Sequence, residues 1–234
     1  MSYCYLNGET LPYKECNLHI SDLLLQRGYG VFDFFRAREG QIPFLRDYTD
    51  RLYNSIRLSD IEAPLSREEF TSIIYDLQQK NGPNNEAFKV IVTGGYSDNL
   101  EAVTGAANMI ILNIPWHRPP HDTLQKGVNL ITSEYQRPNP EVKTLYYFNS
   151  MRLAKKLKEF DAVDVLYHTS TITETSRASI FFVEGANIYT PEKNILKGIT
   201  RKQILSKFKE IIVEDIEINR LHNFDEVFIS STSR

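Results

Sequence analysis

Apolar and polar residues alternate along the first half of the chain in patterns typical of strands and helices. Runs with strand character occupy residues 3–6, 31–36, 88–92 and 109–114. Asn7-Gly8 predicts a tight hairpin turn after the first run. A further strand is expected at residues 41–44, returning beside residues 31–36.

Two helices are predicted in the same half. Residues 45–61 place Leu45, Tyr48, Leu52 and Ile56 on one face, as in an amphipathic helix. A second helix at residues 66–80 begins with Ser followed three residues later by Glu, which is a capping signature.

The second half repeats the alternation after a proline-rich stretch. Residues 115–122 read PWHRPPHD, and three prolines there exclude a helix and predict a linker. Strands are expected at residues 128–133, 163–167, 179–184, 188–190, 211–213 and 226–230, and helices at 147–159 and 200–209. The pattern predicts an α/β (α+β) protein with an N-terminal α/β domain at 1–114, the linker at 115–122 and a C-terminal domain at 123–234.

Composition narrows the class of partner. The 234 residues carry a net charge of −3, which gives no electrostatic reason to expect nucleic acid or an anionic membrane as partner. No apolar run approaches the roughly 20 residues that a membrane-spanning helix needs. Cys4 and Cys16, with no secretory signal before them, favour a reduced cytoplasmic protein. His117 and His121 are separated by two prolines that prevent a helical metal pair, so no metal site is expected.

Lys143 is the candidate reactive group. It ends an extended segment, follows Val142 and precedes Thr144-Leu145-Tyr146-Tyr147-Phe148. A lysine among apolar and aromatic side chains has its charged form disfavoured, and its amine becomes nucleophilic. That is the requirement for a lysine that forms a Schiff base. A lysine whose ammonium simply reaches water would have the same neighbours in sequence.

Three motifs in order extend this interpretation: VKTLYYFNS from residue 142, TETSRASIFFV from 173 and TPEKNILKGITR from 190. Together they resemble the fold-type IV pyridoxal-phosphate enzymes, which include the branched-chain and D-amino-acid aminotransferases and the 4-amino-4-deoxychorismate lyases. The resemblance implies a two-domain architecture with a C-terminal cofactor-binding domain, a homodimer, and transfer of an amino group between an α-amino acid and a 2-oxo acid. The lyase reaction, which eliminates pyruvate and gives 4-aminobenzoate, remains an alternative, as does a non-catalytic homologue.

The resemblance also assigns the residues that would hold pyridoxal 5′-phosphate. It implies Lys143 for the Schiff base and Glu174 for the ring nitrogen. Tyr147 would lie near the ring oxygen, although it is equally well explained as core. The phosphate would bind the remaining residues: Arg51, the N–H groups of Ile199 and Thr200, and Thr232.

Departures from the family pattern bear on substrate. Arg27 stands where branched-chain enzymes tend to have tyrosine, and Arg177 replaces a small residue after Glu174. If either faces the pocket, an anionic group on the substrate is expected; if both lie on the surface, nothing follows. Asp33 stands in place of the usual glutamate, and the chain ends at Arg234 where the family usually continues.

Overall fold

The computed structural model describes residues 2–117 and 122–233, which form two compact units. The first unit runs to His117 and also contains the later segment Val142–Tyr146. The second unit contains residues 122–141 and 147–233. Residues 118–121 of the predicted linker lie outside the described residues.

The first unit combines strands and helices in an order close to the predicted one. Its elements are β1 (Tyr3–Leu6), β2 (Glu9–Pro12), α1 (Leu23–Arg27), β3 (Gly30–Arg36), α2 (Leu45–Leu58), α3 (Arg67–Asn81), β4 (Ala87–Thr93) and β5 (Met109–Ile114), with a 3₁₀ helix at Tyr13–Glu15.

The strands of this unit form an antiparallel sheet in the order β2-β1-β5-β4-β3. Side chains alternate across a strand, so Val31, Asp33 and Phe35 of β3 share one face and all three are buried. Phe35 stacks on Phe88 of β4, with 5.2 Å between ring centroids, and also packs on Tyr48 of α2. The apolar face of α2 therefore covers this side of the sheet, and the other face of β3 carries Phe32, Phe34 and Arg36.

The second unit contains shorter elements. They are α4 (Asp122–Lys126), β6 (Asn129–Glu134), α5 (Phe148–Arg152), α6 (Ala154–Glu159), β7 (Ala162–His168), β8 (Thr171–Thr175), β9 (Ser179–Glu184), β10 (Asn187–Thr190), α7 (Ile199–Lys207), β11 (Ile212–Val213), β12 (Ile216–Glu217) and β13 (Glu226–Ser230), with a 3₁₀ helix at Ile218–Asn223.

The strands of the second unit form one sheet in the order β12-β8-β7-β6 and another in the order β11-β10-β9-β13. Leu166, Ile172, Ile180, Phe182 and Ile216 come from both sheets and pack into one buried cluster. The mixed α/β architecture predicted from the sequence is confirmed.

Two local predictions are wrong, and one strand was missed. Residues 41–44 form no strand, because Pro43 has no N–H to donate and Phe44, the N-cap of α2, has a left-handed backbone with φ of 60°. Strand β3 pairs with β4 instead. The predicted helix at 147–159 is two helices, because Leu153 leaves the helical conformation (φ −87°, ψ 1°) and caps both. Strand β8 was not expected, and it carries Glu174.

Candidate active site

The segment around Lys143 lies along the β3 edge of the first unit's sheet. The N–H of Phe32 donates to the Lys143 carbonyl at 2.9 Å, and the N–H of Leu145 donates to the Gly30 carbonyl at 3.3 Å. Val31 and Thr144 form an antiparallel bridge between these bonds. Residues 142–146 therefore continue the sheet beside β3, which fixes the backbone of Lys143 on both sides.

This register puts the Lys143 side chain on the same face as Phe32. The Lys143 Nζ lies 4.6 Å from the centroid of the Phe32 ring, and the Nζ of Lys89 lies 5.6 Å from the same centroid. An aromatic neighbour was predicted, but it comes from β3, while Tyr146 and Phe148 are largely exposed. Two cationic side chains thus converge on one aromatic ring.

Helix α2 carries both Arg51 and Ser55, and Ser55 contacts the backbone of Lys143. The Ser55 hydroxyl is buried and accepts a hydrogen bond from the Lys143 N–H at 3.2 Å. Arg51 lies one turn earlier on the same face and binds the carboxylate of Asp33 with two nitrogens, Nε to Oδ2 at 2.9 Å and Nη2 to Oδ1 at 2.6 Å. The fork on Asp33 holds the guanidinium in a fixed orientation within the same unit as Lys143.

Glu174 is held by contacts to both of its carboxylate oxygens. It lies on β8 and is 6% exposed. Oε1 accepts from Nε of Arg137 at 2.7 Å, and Oε2 accepts from the N–H of Leu196 at 3.0 Å. Glu174 is therefore a buried, oriented anion and not an exposed turn residue.

Tyr147 precedes α5 in the same unit as Glu174. Burial raises the pKa of its phenol to about 12, with smaller effects from Arg137, which lowers it, and Glu174, which raises it. At neutral pH the side chain is therefore a neutral hydroxyl that can donate a hydrogen bond.

The first turn of α7 forms an anion-binding arrangement. Its N-cap is Gly198, which has no side chain to satisfy the free N–H groups that follow at Ile199 and Thr200. A Cβ at Gly198 would lie 2.6 Å from the Ser179 Oγ, so any larger residue there would force the Ser179 hydroxyl to move. The buried guanidinium of Arg201 donates to the Thr190 hydroxyl and the Pro191 carbonyl, which ties the start of the helix to the end of β10.

A buried hydroxyl without a partner lies beside this helix start. Ser230 ends β13 directly opposite Ser179 on β9, and its Oγ makes no hydrogen bond to any described protein atom. Thr232 follows two residues later and is half-buried. An orphaned donor, a glycine cradle and open helix N–H groups together fit a phosphate group.

The two arginines considered for substrate have other surroundings. Arg27 is exposed and its Nη1 donates to the carbonyl of Gln26 at 3.1 Å. The Arg177 side chain is about half exposed; its Nη2 donates to the Val163 carbonyl, and its Nε lies 3.9 Å from the buried carboxylate of Asp164. Both side chains thus contact residues of their own unit, and a substrate role for either stays a prediction.

The family model for amino-transferase class IV matches residues 30–234. The chain belongs to this family. It is an aminotransferase-family enzyme, as the three ordered motifs predicted.

Its relatives cover almost the whole chain. A putative branched-chain-amino-acid aminotransferase of Methanocaldococcus jannaschii is 31% identical over 98% of this chain and 84% of its own. A D-alanine aminotransferase of Staphylococcus haemolyticus is 26% identical over 100% of this chain and 86% of its own. A branched-chain amino acid aminotransferase from T.th., solved with N-(5′-phosphopyridoxyl)-L-glutamate, superposes with a TM-score of 0.89 at 25% identity, covering 99% of this chain and 82% of that one.

Sequence reasoning did not single out several residues that contact or adjoin the candidate site residues of this class IV aminotransferase. Arg137 holds Glu174, Ser55 holds the Lys143 backbone, and Ser230 presents an unpartnered hydroxyl. The four-residue spacing from Arg51 could have indicated Ser55, since it puts both on one face of α2. Arg137 has no local signal, because its partner Glu174 is distant in sequence.

Residues 2–117 and 122–233 contain neither a metal-binding cluster nor a membrane-spanning helix. Within those ranges no group of three or more His, Cys, Asp or Glu side chains is arranged to hold a metal ion. His121, one of the two histidines considered for a metal site, lies outside the described residues. Nor does any helix in the described chain have the length and apolar character to span a membrane.

Proposed function

We propose that this protein is a pyridoxal-phosphate-dependent aminotransferase that moves an amino group from an α-amino acid to a 2-oxo acid, with Lys143 as the catalytic residue. The observation that carries the proposal is the fixed lysine: its backbone is bonded on both sides to the sheet edge and α2, and its Nζ lies against the Phe32 ring. Lysines on a solvated surface are not held in this way.

The other residues assigned to the site would bind the phosphate, the ring nitrogen and the ring oxygen of the cofactor. Ile199 and Thr200 offer N–H groups to the phosphate at the positive end of α7, and we assign Thr232 and Arg51 to the same phosphate. Glu174 is assigned to the ring nitrogen, where a carboxylate would keep a proton on that atom. Tyr147, a neutral phenol, is assigned to the ring oxygen.

When bound, pyridoxal phosphate supplies an aldehyde and a ring that accepts electrons from the substrate α-carbon. Lys143 would hold the cofactor through its amine, and the same amine would serve as the general base for the proton on the substrate α-carbon. The fixed backbone of Lys143 keeps the amine in one place during this transfer, which is the positioning that proton transfer requires. The ion pair to Arg137 keeps the Glu174 carboxylate from rotating.

The first experiment asks whether Lys143 carries the cofactor. The purified protein is incubated with pyridoxal phosphate, reduced with borohydride, digested, and its peptides are weighed. Before reduction, we expect a visible absorbance band that survives dialysis. After reduction, we expect the cofactor mass on the peptide that contains Lys143. Lys143→Ala should lose both, and Lys155→Ala, an exposed lysine on α6, should keep both. A Lys143→Ala protein that still fixes the cofactor would overturn the assignment.

The second experiment separates the reactions. L- and D-amino acids are offered singly with 2-oxoglutarate or pyruvate, and the new amino acid is measured; 4-amino-4-deoxychorismate is offered separately. Amino transfer from any of these donors supports the proposal. Formation of pyruvate and 4-aminobenzoate without amino transfer would replace it with the lyase reaction. Neither product from a protein that has bound the cofactor would point to a non-catalytic homologue.

Two further properties are proposed. By resemblance to the family we expect a homodimer, which light scattering of the purified protein measures directly. A cytoplasmic location also stays a prediction, based on the two free cysteines.

A further inference from the structure

Arg201 is a buried cation that contacts only neutral oxygens. It lies in the first turn of α7 and is 8% exposed, and no other lysine or arginine among the residues that the structure describes is buried to that degree. Its Nε donates to the Thr190 hydroxyl at 3.2 Å, and its Nη2 donates to the Pro191 carbonyl at 2.8 Å. By contrast, the guanidinium groups of Arg51 and Arg137 each bind a carboxylate. Within the described chain, Arg201 therefore has a buried positive charge that no ion pair neutralises.

The position of this charge is unfavourable for the protein by itself. Burial lowers the pKa of the Arg201 guanidinium, and exposed Glu192 opposes that effect. Arginine nevertheless stays protonated at neutral pH. The N-terminus of a helix is the positive end of its dipole, so a cation there is repelled. The first turn of α7 contains no acidic residue that would offset either effect. An anion bound at the start of the helix would relieve both.

Arg201 also fixes the first turn of α7 against the neighbouring strands. The Thr190 hydroxyl, which accepts from Arg201, donates in turn to the Ile180 carbonyl on β9 at 2.9 Å. The residue before Ile180 on β9 is Ser179, whose Oγ lies against Gly198, the N-cap of α7. The guanidinium thus connects β9 and β10 to the helix turn whose free N–H groups are assigned to the phosphate.

We propose that Arg201 is a positioning residue of the phosphate site: its charge is balanced by the phosphate group of the ligand, and its two hydrogen bonds hold the N–H groups of Ile199 and Thr200 in place. The inference rests on the proposed function for the phosphate site itself. Arg201 need not touch the phosphate, because a buried charge acts over a longer range than one screened by water and salt. A ligand of the same shape without a phosphate gains nothing from Arg201.

The test compares two ligands that differ only in the phosphate. Pyridoxal phosphate and pyridoxal are titrated into the whole cofactor-free protein, and both dissociation constants are measured by absorbance. Arg201→Gln, which removes the charge, should weaken binding of pyridoxal phosphate about tenfold and leave that of pyridoxal unchanged. Arg201→Lys keeps the charge and should bind pyridoxal phosphate more tightly than Arg201→Gln does. Lys207→Gln removes an exposed charge at the other end of α7 and should bind both ligands as the wild type does.

A second variant tests the hydrogen bonds and remains informative if Arg201→Gln does not fold. Thr190→Val keeps the branched shape of the side chain and removes the hydroxyl that accepts from Arg201. It should weaken binding of pyridoxal phosphate about threefold, which is the usual effect of one hydrogen bond, without changing the binding of pyridoxal. A Thr190→Val protein with wild-type affinity for pyridoxal phosphate would overturn the proposal.

Three results with variants of Arg201 would also overturn the proposal. They are wild-type affinity for pyridoxal phosphate in Arg201→Gln, an equal loss of affinity for both ligands, which a general structural defect would give, and an Arg201→Lys protein that binds no better than Arg201→Gln. A wild-type protein that binds both ligands equally would overturn the phosphate site of the proposed function, and this inference with it. The failure of the site and the failure of the role of Arg201 are therefore distinguishable.

Discussion

Arg137 and Glu174 form a buried ion pair whose loss should destabilise the second unit strongly. Nε of Arg137 lies 2.7 Å from Oε1 of Glu174, and the two side chains are 14% and 8% exposed. Replacing Arg137 with methionine keeps the length of the side chain and leaves a buried carboxylate without its cation. Removing one partner of such a pair costs about 3–5 kcal/mol. We expect Arg137→Met to lower the free energy of unfolding by about that amount.

The measurement is urea unfolding of the cofactor-free protein at pH 7, followed by circular dichroism. A matched control is Lys193→Met: the Lys193 Nζ lies 2.7 Å from Asp215, but these side chains are 66% and 37% exposed. Exposed pairs contribute about 0–1 kcal/mol, because water already solvates both charges. If the distance between the charges set the effect, both variants should lose the same free energy of unfolding. If burial sets it, only Arg137→Met should lose a large amount.

A double variant isolates the pair itself. The double variant Arg137→Met/Glu174→Gln leaves no unpaired charge. Its decrease in the free energy of unfolding should therefore be smaller than the sum of the two single decreases by about 1–3 kcal/mol. An Arg137→Met loss as small as that of Lys193→Met, or strict additivity in the double variant, would refute the reasoning.

Three further outcomes are expected. Gly198→Ala should weaken binding of pyridoxal phosphate about tenfold or more, because its Cβ would lie 2.6 Å from the Ser179 Oγ, and adding Ser179→Ala should restore much of that affinity. A cofactor titration measures both variants. A double variant that binds no better than Gly198→Ala would contradict the steric cause. Burial raises the pKa of both Tyr53 and Tyr147 to about 12, so between about pH 10 and 12 the unfolded chain loses phenolic protons that the folded chain keeps. Stability should therefore fall as pH rises through that window, and Tyr147→Phe should reduce the fall in urea unfolding at each pH; an unchanged slope would count against it. Ser66→Ala removes the capping box of α3 and should cost about 1 kcal/mol, while Ser66→Asp, which can still cap, should cost less.

The sequence predicted best those elements that local pattern determines. Helix α2 was predicted from four apolar residues on one face, and all four are buried because that stripe packs on the sheet. Helix α3 was predicted from Ser66 and Glu69, whose reciprocal capping bonds are present. Such signals lie within one or two turns of chain and need no knowledge of distant residues.

The elements that were missed depend on partners far away in sequence. Residues 41–44 have strand-like composition, but β3 is paired by β4, some fifty residues later along the chain. Strand β8 is short and polar, so its burial, and that of Glu174, follows from packing within the second unit. The site residues themselves came from motif resemblance, and their orienting partners Arg137 and Ser55 emerged only from the three-dimensional contacts.

The placement of Val142–Tyr146 within the first unit affects how this protein can be divided and how it is made. A fragment ending at His117 has the whole β2-β1-β5-β4-β3 sheet but no Lys143, and a fragment starting at residue 122 has Lys143 but no β3 to bind its backbone. Neither half can therefore hold the lysine in place when expressed alone. During synthesis on the ribosome, the edge of the first sheet stays uncompleted until residue 146 has emerged, by which time part of the second unit's chain has been made. Swapping domains between relatives at the proline-rich stretch would accordingly exchange the lysine without the strand that positions it.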